Sequence, residues 1–92
     1  MQRIRVFEKQ SGLLRLIVFL DEQDEYLLSK IWADAGISIN QGYRSVEKAK
    51  HMGLIRQKVD ASSYPPKNMI SLTPKGKKVA ELLKNIEEVL DE

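Results

Sequence analysis

The chain has 92 residues, with 15 Lys and Arg against 13 Asp and Glu, 42% hydrophobic residues and no cysteine. That length holds one domain, which buries roughly 60–65% of the surface its unfolded chain exposes. It excludes disulfide staples, thiol catalysis and a cysteine-held zinc site, and a net charge of +2 is too small to name a partner.

Taken in chain order, Arg3–Glu8 alternates, with Ile4 and Val6 on one side. It reads as a short strand or extended arm within an N-terminal segment 1–10. Met1–Lys9 lacks the apolar region of a signal peptide. Ser11 is placed to cap a helix over Gly12–Leu20, in which Leu13, Leu16, Ile17 and Leu20 form one stripe. Leu14, Val18 and Phe19 cover the rest, so this helix should be buried on more than one side. Its apolar run is broken by Arg15 and is far too short to span a bilayer. A soluble, cytoplasmic protein with no membrane partner is expected.

Asp21, Glu22, Asp24 and Glu25 form an acidic connector without the spacing or glycine of an EF-hand, so no metal is assigned to it. Tyr26–Leu28 stays open between a strand and the start of a helix. Ser29 is a candidate cap for a short helix, Lys30–Ala35, that stops at Gly36. Ser38 opens a second helix over 38–52, with Gln41 three positions on as a capping box requires. Ile39, Tyr43, Val46 and the stem of Lys50 share its inner face, and Gly53 ends it. Residues 29–53 therefore read as helix, tight turn, helix.

Leu54–Val59 and Met69–Thr73 alternate apolar and polar residues and predict a hairpin over 54–73. Its tip, Asp60–Asn68, contains Ser62, Ser63, Pro65 and Pro66, which cannot continue a ladder. Thr73 caps a last helix over 74–92, and Pro74 takes its first position. Val79, Leu82, Leu83, Ile86, Val89 and Leu90 keep one apolar stripe along it. The lysines at its start and acids at its end oppose the helix dipole, at about 0.3–1 kcal/mol per charge. Either neutral drift or phosphate binding by the lysines accounts for that.

Charge is unevenly placed along the chain. Residues 41–78 hold nine basic side chains against Glu47 and Asp60, a balance of +7, whereas residues 1–40 sum to −1 and 79–92 to −4. This is the segment that contains the second helix and the hairpin.

The order arm, helix, short helix, turn, longer helix, hairpin, helix resembles a winged helix-turn-helix domain. Two stretches carry the likeness: Ser38–Ile55, with Gly53, Leu54 and Ile55 leading into the hairpin, and Ile70–Lys78, with Leu72, Thr73, Pro74 and Gly76 at the strand-to-helix junction. Both resemble MarR-like and related bacterial and archaeal transcriptional regulators. The pattern departs at Trp32, where a small residue is usual. The resemblance implies an α+β, mostly α, single domain over 1–92, with a three-helix core, a two- or three-stranded β-wing and an added C-terminal helix. It also implies a regulator that binds double-stranded DNA, with the second helix in the major groove and the wing on the backbone or minor groove.

On helical spacing, the face opposite Ile39, Tyr43 and Val46 carries Gln41, Arg44, Ser45 and Lys48, with Asn40 and His51 at its borders. Asn and Gln suit adenine edges, Arg suits guanine, and Ser and Lys suit phosphates. Ser38 at the helix start, Arg56 and Lys58 on the hairpin, and Tyr64 and Lys67 at its tip complete the expected DNA-binding set. A lone histidine, no thiol and no Gly-rich phosphate loop argue against an enzyme or a cofactor. A winged helix serving as a protein-interaction module in a larger assembly is the rival reading. Leu14, Val18, Phe19, Leu83, Ile86 and Leu90 would leave an apolar patch that a homodimer could bury. The competing expectation folds the N-terminal arm over that patch through Ile4, Val6 and Phe7. The lysine and glutamate content is compatible with a thermophilic archaeal source, and no effector is indicated.

Overall fold

The computed structural model describes residues 2–92; the first residue of the expected N-terminal arm lies outside them. A 3₁₀ turn, Gln2–Ile4, leads into helix α1 (Arg5–Lys9) and then α2 (Leu13–Asp21). Strand β1 (Tyr26–Leu27) and a second 3₁₀ turn, Leu28–Lys30, precede α3 (Ile31–Ala35) and α4 (Ile39–His51). Strands β2 (Ile55–Asp60) and β3 (Lys67–Leu72) form the wing, and α5 (Pro74–Leu90) closes the chain. The sheet is antiparallel in the order β1-β3-β2, with Tyr26 opposite Ile70 and Ile55 opposite Leu72. No helix among the described residues is long and apolar enough to cross a membrane.

Leu13, Leu16, Ile17 and Leu20 are the buried stripe of α2 that their spacing predicts. They meet Ile31, Val46, Ala49, Leu54, Ile55, Ile70, Leu72 and Ala80 in one core. Arg15, the only basic side chain on α2, donates from Nη1 to the Gly36 carbonyl at 2.8 Å. The cation thus satisfies the carbonyl of the turn that links α3 to α4. Gly36 itself has φ 73° and ends α3, a conformation that a residue with a Cβ adopts only under strain.

The strand-to-helix junction has a specific physical basis. The Thr73 side chain accepts from the Gly76 N–H at 3.0 Å, and its hydroxyl donates to the Gly53 carbonyl. Pro74 follows where a missing N–H costs nothing. A Cβ at Gly76 would stand 2.1 Å from the Leu54 carbonyl oxygen, so glycine is what lets α5 lie against the start of the wing. Lys75 Nζ donates to the Met52 carbonyl at 3.1 Å. A charge that opposes the dipole of α5 therefore sits at the negative end of α4, where it is favourable.

Several local expectations are corrected. The N-terminal segment is helical rather than a strand or arm, because Val6 and Phe7 both pack on the core. Adjacent residues share a face on a helix and point oppositely on a strand. Ser11 does not cap α2: Gly12 does, at φ 91°, and the Ser11 carbonyl is used elsewhere. Ser29 lies inside the 3₁₀ turn, and α3 starts from Lys30 without a side-chain cap. Lys67 and Asn68 belong to β3, opposite Asp60 and Val59, so the wing loop is shorter than expected.

Candidate nucleic-acid interface

Helix α4 begins at Ser38, whose Oγ accepts from the Gln41 N–H at 3.2 Å. This satisfies one of the free N–H groups of the first turn and fixes where the helix starts. Its buried residues are Gly42, Ser45, Val46 and Ala49, a spacing that makes one narrow stripe of mostly small side chains. Gly42 lies beneath Trp32; a Cβ there would stand 3.0 Å from the indole. The large residue on α3 is therefore matched by the absence of a side chain on α4. Trp32 also packs on Tyr43 with the rings tilted by 39° and their centroids 4.6 Å apart.

This packing turns α4 from the orientation its apolar residues predict. Ile39 and Tyr43 are more than half exposed, at 56% and 51%. At about 100° per residue, the outward face is displaced by roughly 70° from the expected one. Asn40 and His51 are at its centre with Arg44 and Glu47 on either side of them, Gln41 and Lys48 on the Arg44 flank, and Tyr43 on the other. Asn40, Arg44 and Lys48 are exposed, and Gln41 is half-buried.

Ser45 is the clear correction. It is wholly buried, and its hydroxyl donates to the Ser11 carbonyl at 3.1 Å, so it is unavailable to phosphate. Its role is to bind α4 to the start of α2. The sequence signal for the true inner face was the run of small residues at 42, 45 and 49, which lets helices approach closely.

The wing divides its cations. Ile55, Gln57 and Val59 share one face of β2, and Arg56, Lys58 and Asp60 the other. Gln57 accepts from Lys50 of α4 at 3.0 Å and donates to Asn68 at 3.3 Å, which locks the wing to the helix. Arg56 and Lys58 consequently lie on the face turned away from α4. Lys58 pairs with Glu25 at 2.9 Å, and this contact holds its ammonium above the ordinary lysine range. At the tip, Tyr64 is 96% exposed and Lys67 is exposed opposite Asp60. The Asp60 carboxylate accepts from the Ser62 hydroxyl and N–H, which lowers its pKa and pins the turn. An open cleft of about 310 Å³ runs between this tip and Trp32 and Tyr43.

The acidic connector is used structurally. Asp21 pairs with Lys84 at 2.7 Å, and Glu25 holds Lys58. The Tyr26 hydroxyl donates to Asp34, which raises the phenol pKa.

A three-helix core, an antiparallel wing and a capped helix presented beside it define a winged helix-turn-helix domain, and solved structures of similar fold include MarR-family regulators. MepR of Staphylococcus aureus, described as a transcription regulator of the multidrug efflux pump MepA, superposes with a TM-score of 0.76 at 20% identity, over 98% of this chain and 66% of that one. A ZitR variant of Lactococcus lactis gives 0.73 at 24% identity, over 88% and 55%. FabT of Streptococcus pneumoniae, solved in complex with DNA, gives 0.73 at 14% identity, over 87% and 55%. The chain spans between half and two thirds of the length of these structures. No protein-family model and no curated protein sequence matches it.

Proposed function

We propose that the chain is a non-enzymatic, sequence-specific regulator that binds double-stranded DNA, with α4 in the major groove. The observation that carries this is the face of α4. A capped helix presents Asn40, Arg44 and Lys48 away from its own core, with half-buried Gln41 at the edge of that face and Ser38 at its exposed start. Arg44, close to the centre, suits the O6 and N7 of guanine, Asn40 and Gln41 suit adenine, and Lys48 suits a phosphate. Tyr64 and Lys67 at the wing tip are placed on the Tyr43 side of α4 to meet the flanking backbone. Arg56 and Lys58 act on more distant phosphates, Lys58 only after leaving Glu25. The DNA complex of the FabT structure supports the reading for a protein of the same fold.

The second part of the proposal is a homodimer. A groove of about 730 Å³ gathers Leu14, Val18, Phe19, Leu83, Ile86 and Leu90, the residues expected to form the interface. Only Gly76 and Ala80 of α5 are buried, whereas Ile86 and Leu90 are 55% and 77% exposed. Val6 and Phe7 pack on the core, and Phe7 lines the groove without filling it. A two-fold partner would bury this surface on both chains and set two α4 helices about 34 Å apart on a pseudo-palindromic site.

Titrating salt against binding to a random-sequence duplex tests the first part. A steep fall in affinity, linear in the logarithm of salt concentration, is expected. Absence of duplex binding at low salt would instead favour a protein-interaction module.

A further inference from the structure

The strongest feature bordering the proposed interface is a cleft of about 690 Å³ between the N-terminal turn and α1, the end of α4 and the first turn of α5, which shares Lys48 with that interface. Arg3, Arg5, Lys9, Lys48, His51 and Lys75 line it, and no acidic side chain among the described residues does. The described ion pairs, Lys50–Glu47, Lys58–Glu25 and Lys84–Asp21, engage none of these cations. Lys75 is anchored on the Met52 carbonyl, which orders it without neutralising it. Five permanent cations held together repel one another, and a polyanion entering the cleft relieves that repulsion.

Position selects which polyanion. The cleft opens on the Lys48 side of α4, and Gln10 continues the surface to Arg44. The wing tip stands on the other side, beside Tyr43. A helix seated in a major groove about 12 Å wide has one phosphodiester strand along each flank. The wing is placed for one of them, and α1 for the other. We infer that the α1 cleft binds the phosphodiester backbone of the duplex on the side of α4 opposite the wing, so that Arg3, Arg5 and Lys9 widen the DNA footprint. This rests on the DNA-binding reading and adds a contact surface to it. Helical folding of the N-terminal segment is what assembles the cleft: it sets the three cations, all exposed, beside α4.

The experiment compares wild type with Arg3→Ala/Arg5→Ala/Lys9→Ala on a random-sequence duplex across a salt series. Each lost phosphate contact lowers the log–log slope by about 0.9, so a fall approaching 3 is expected, equal for all sequences. Arg3→Lys/Arg5→Lys/Lys9→Arg keeps the charge and is expected to keep the slope, which separates charge from helix disruption. Wild type that binds duplex while the alanine variant keeps its slope overturns this inference and leaves the proposed function standing. Wild type that binds no duplex overturns both. Inorganic tripolyphosphate provides the remaining arm. If the alanine variant loses tripolyphosphate binding but retains the wild-type duplex slope, the cleft serves a free anion and the inference fails.

Discussion

Ser45 and Gly76 show what single atoms decide in this chain. The Ser45 hydroxyl is buried and donates to the Ser11 carbonyl, so Ser45→Ala removes one hydrogen bond and leaves an acceptor without its partner. A loss of about 1 kcal/mol in denaturant-measured stability is expected, with base discrimination unchanged. A change in DNA affinity at constant stability would return Ser45 to the interface. Gly76→Ala forces a Cβ against the Leu54 backbone, which no rotamer change relieves. About 3 kcal/mol or more of destabilisation is expected, at or beyond the top of the usual overpacking range. A thermal midpoint unchanged by Gly76→Ala would contradict the close approach of α5 to the wing. Neither role is legible in the sequence: helical spacing sets Ser45 among the phosphate ligands because it counts Tyr43 and Ile39 as core residues. The aromatic ring of Tyr43 is held at the surface by Trp32, and only a helix packed through Gly42 and Ala49 permits that arrangement.

At the level of elements, boundaries set by capping were legible and those set by tertiary contact were not. Ser38, Gly36, Thr73 and Pro74 act locally, through their own hydroxyl, their φ or a missing N–H, and the structure places them as their residue types require. The N-terminal helix could not be read this way. Five residues of α1 are too few to be stable alone, and they hold their shape through Val6 and Phe7 on the core. The full length of β3 is not visible in the sequence for a related reason. Lys67 and Asn68 have weak strand preference, but pairing with Asp60 and Val59 and the Gln57 bond to Asn68 extend the ladder to them. The division of wing cations leads to a graded expectation. Lys67→Ala should reduce the salt slope of duplex binding by about 1, and Lys58→Ala by less, since Glu25 already partners that ammonium. Equal reductions in both would mean that the Lys58–Glu25 pair opens on DNA.

At the scale of the whole molecule the chain is long rather than round, with extents of 46 × 22 × 22 Å. Helix α5 supplies apolar surface that its own chain leaves uncovered past Leu83: Ile86, Val89 and Leu90 are all more than half exposed. Leu83→Glu/Ile86→Glu is expected to convert a dimer to monomer in sedimentation equilibrium, while wild type self-associates at tens of micromolar, roughly the range of a weak dimer. A monomeric wild type at that concentration would contradict the dimer. The architecture was legible because its signals are periodic and repeated over many residues. The facing of α4 was not, because rotation of one helix depends on a few packed atoms. That facing is also what the proposed function rests on. Its most direct measurement is the affinity of wild type and Arg44→Ala for a duplex selected from a random pool, each set against random duplex at the same salt. Arg44→Ala is expected to lose about 1–3 kcal/mol of discrimination at a single base pair while other positions keep theirs. An equal loss of affinity for every sequence would make Arg44 a phosphate contact and contradict the assignment of this face to the major groove.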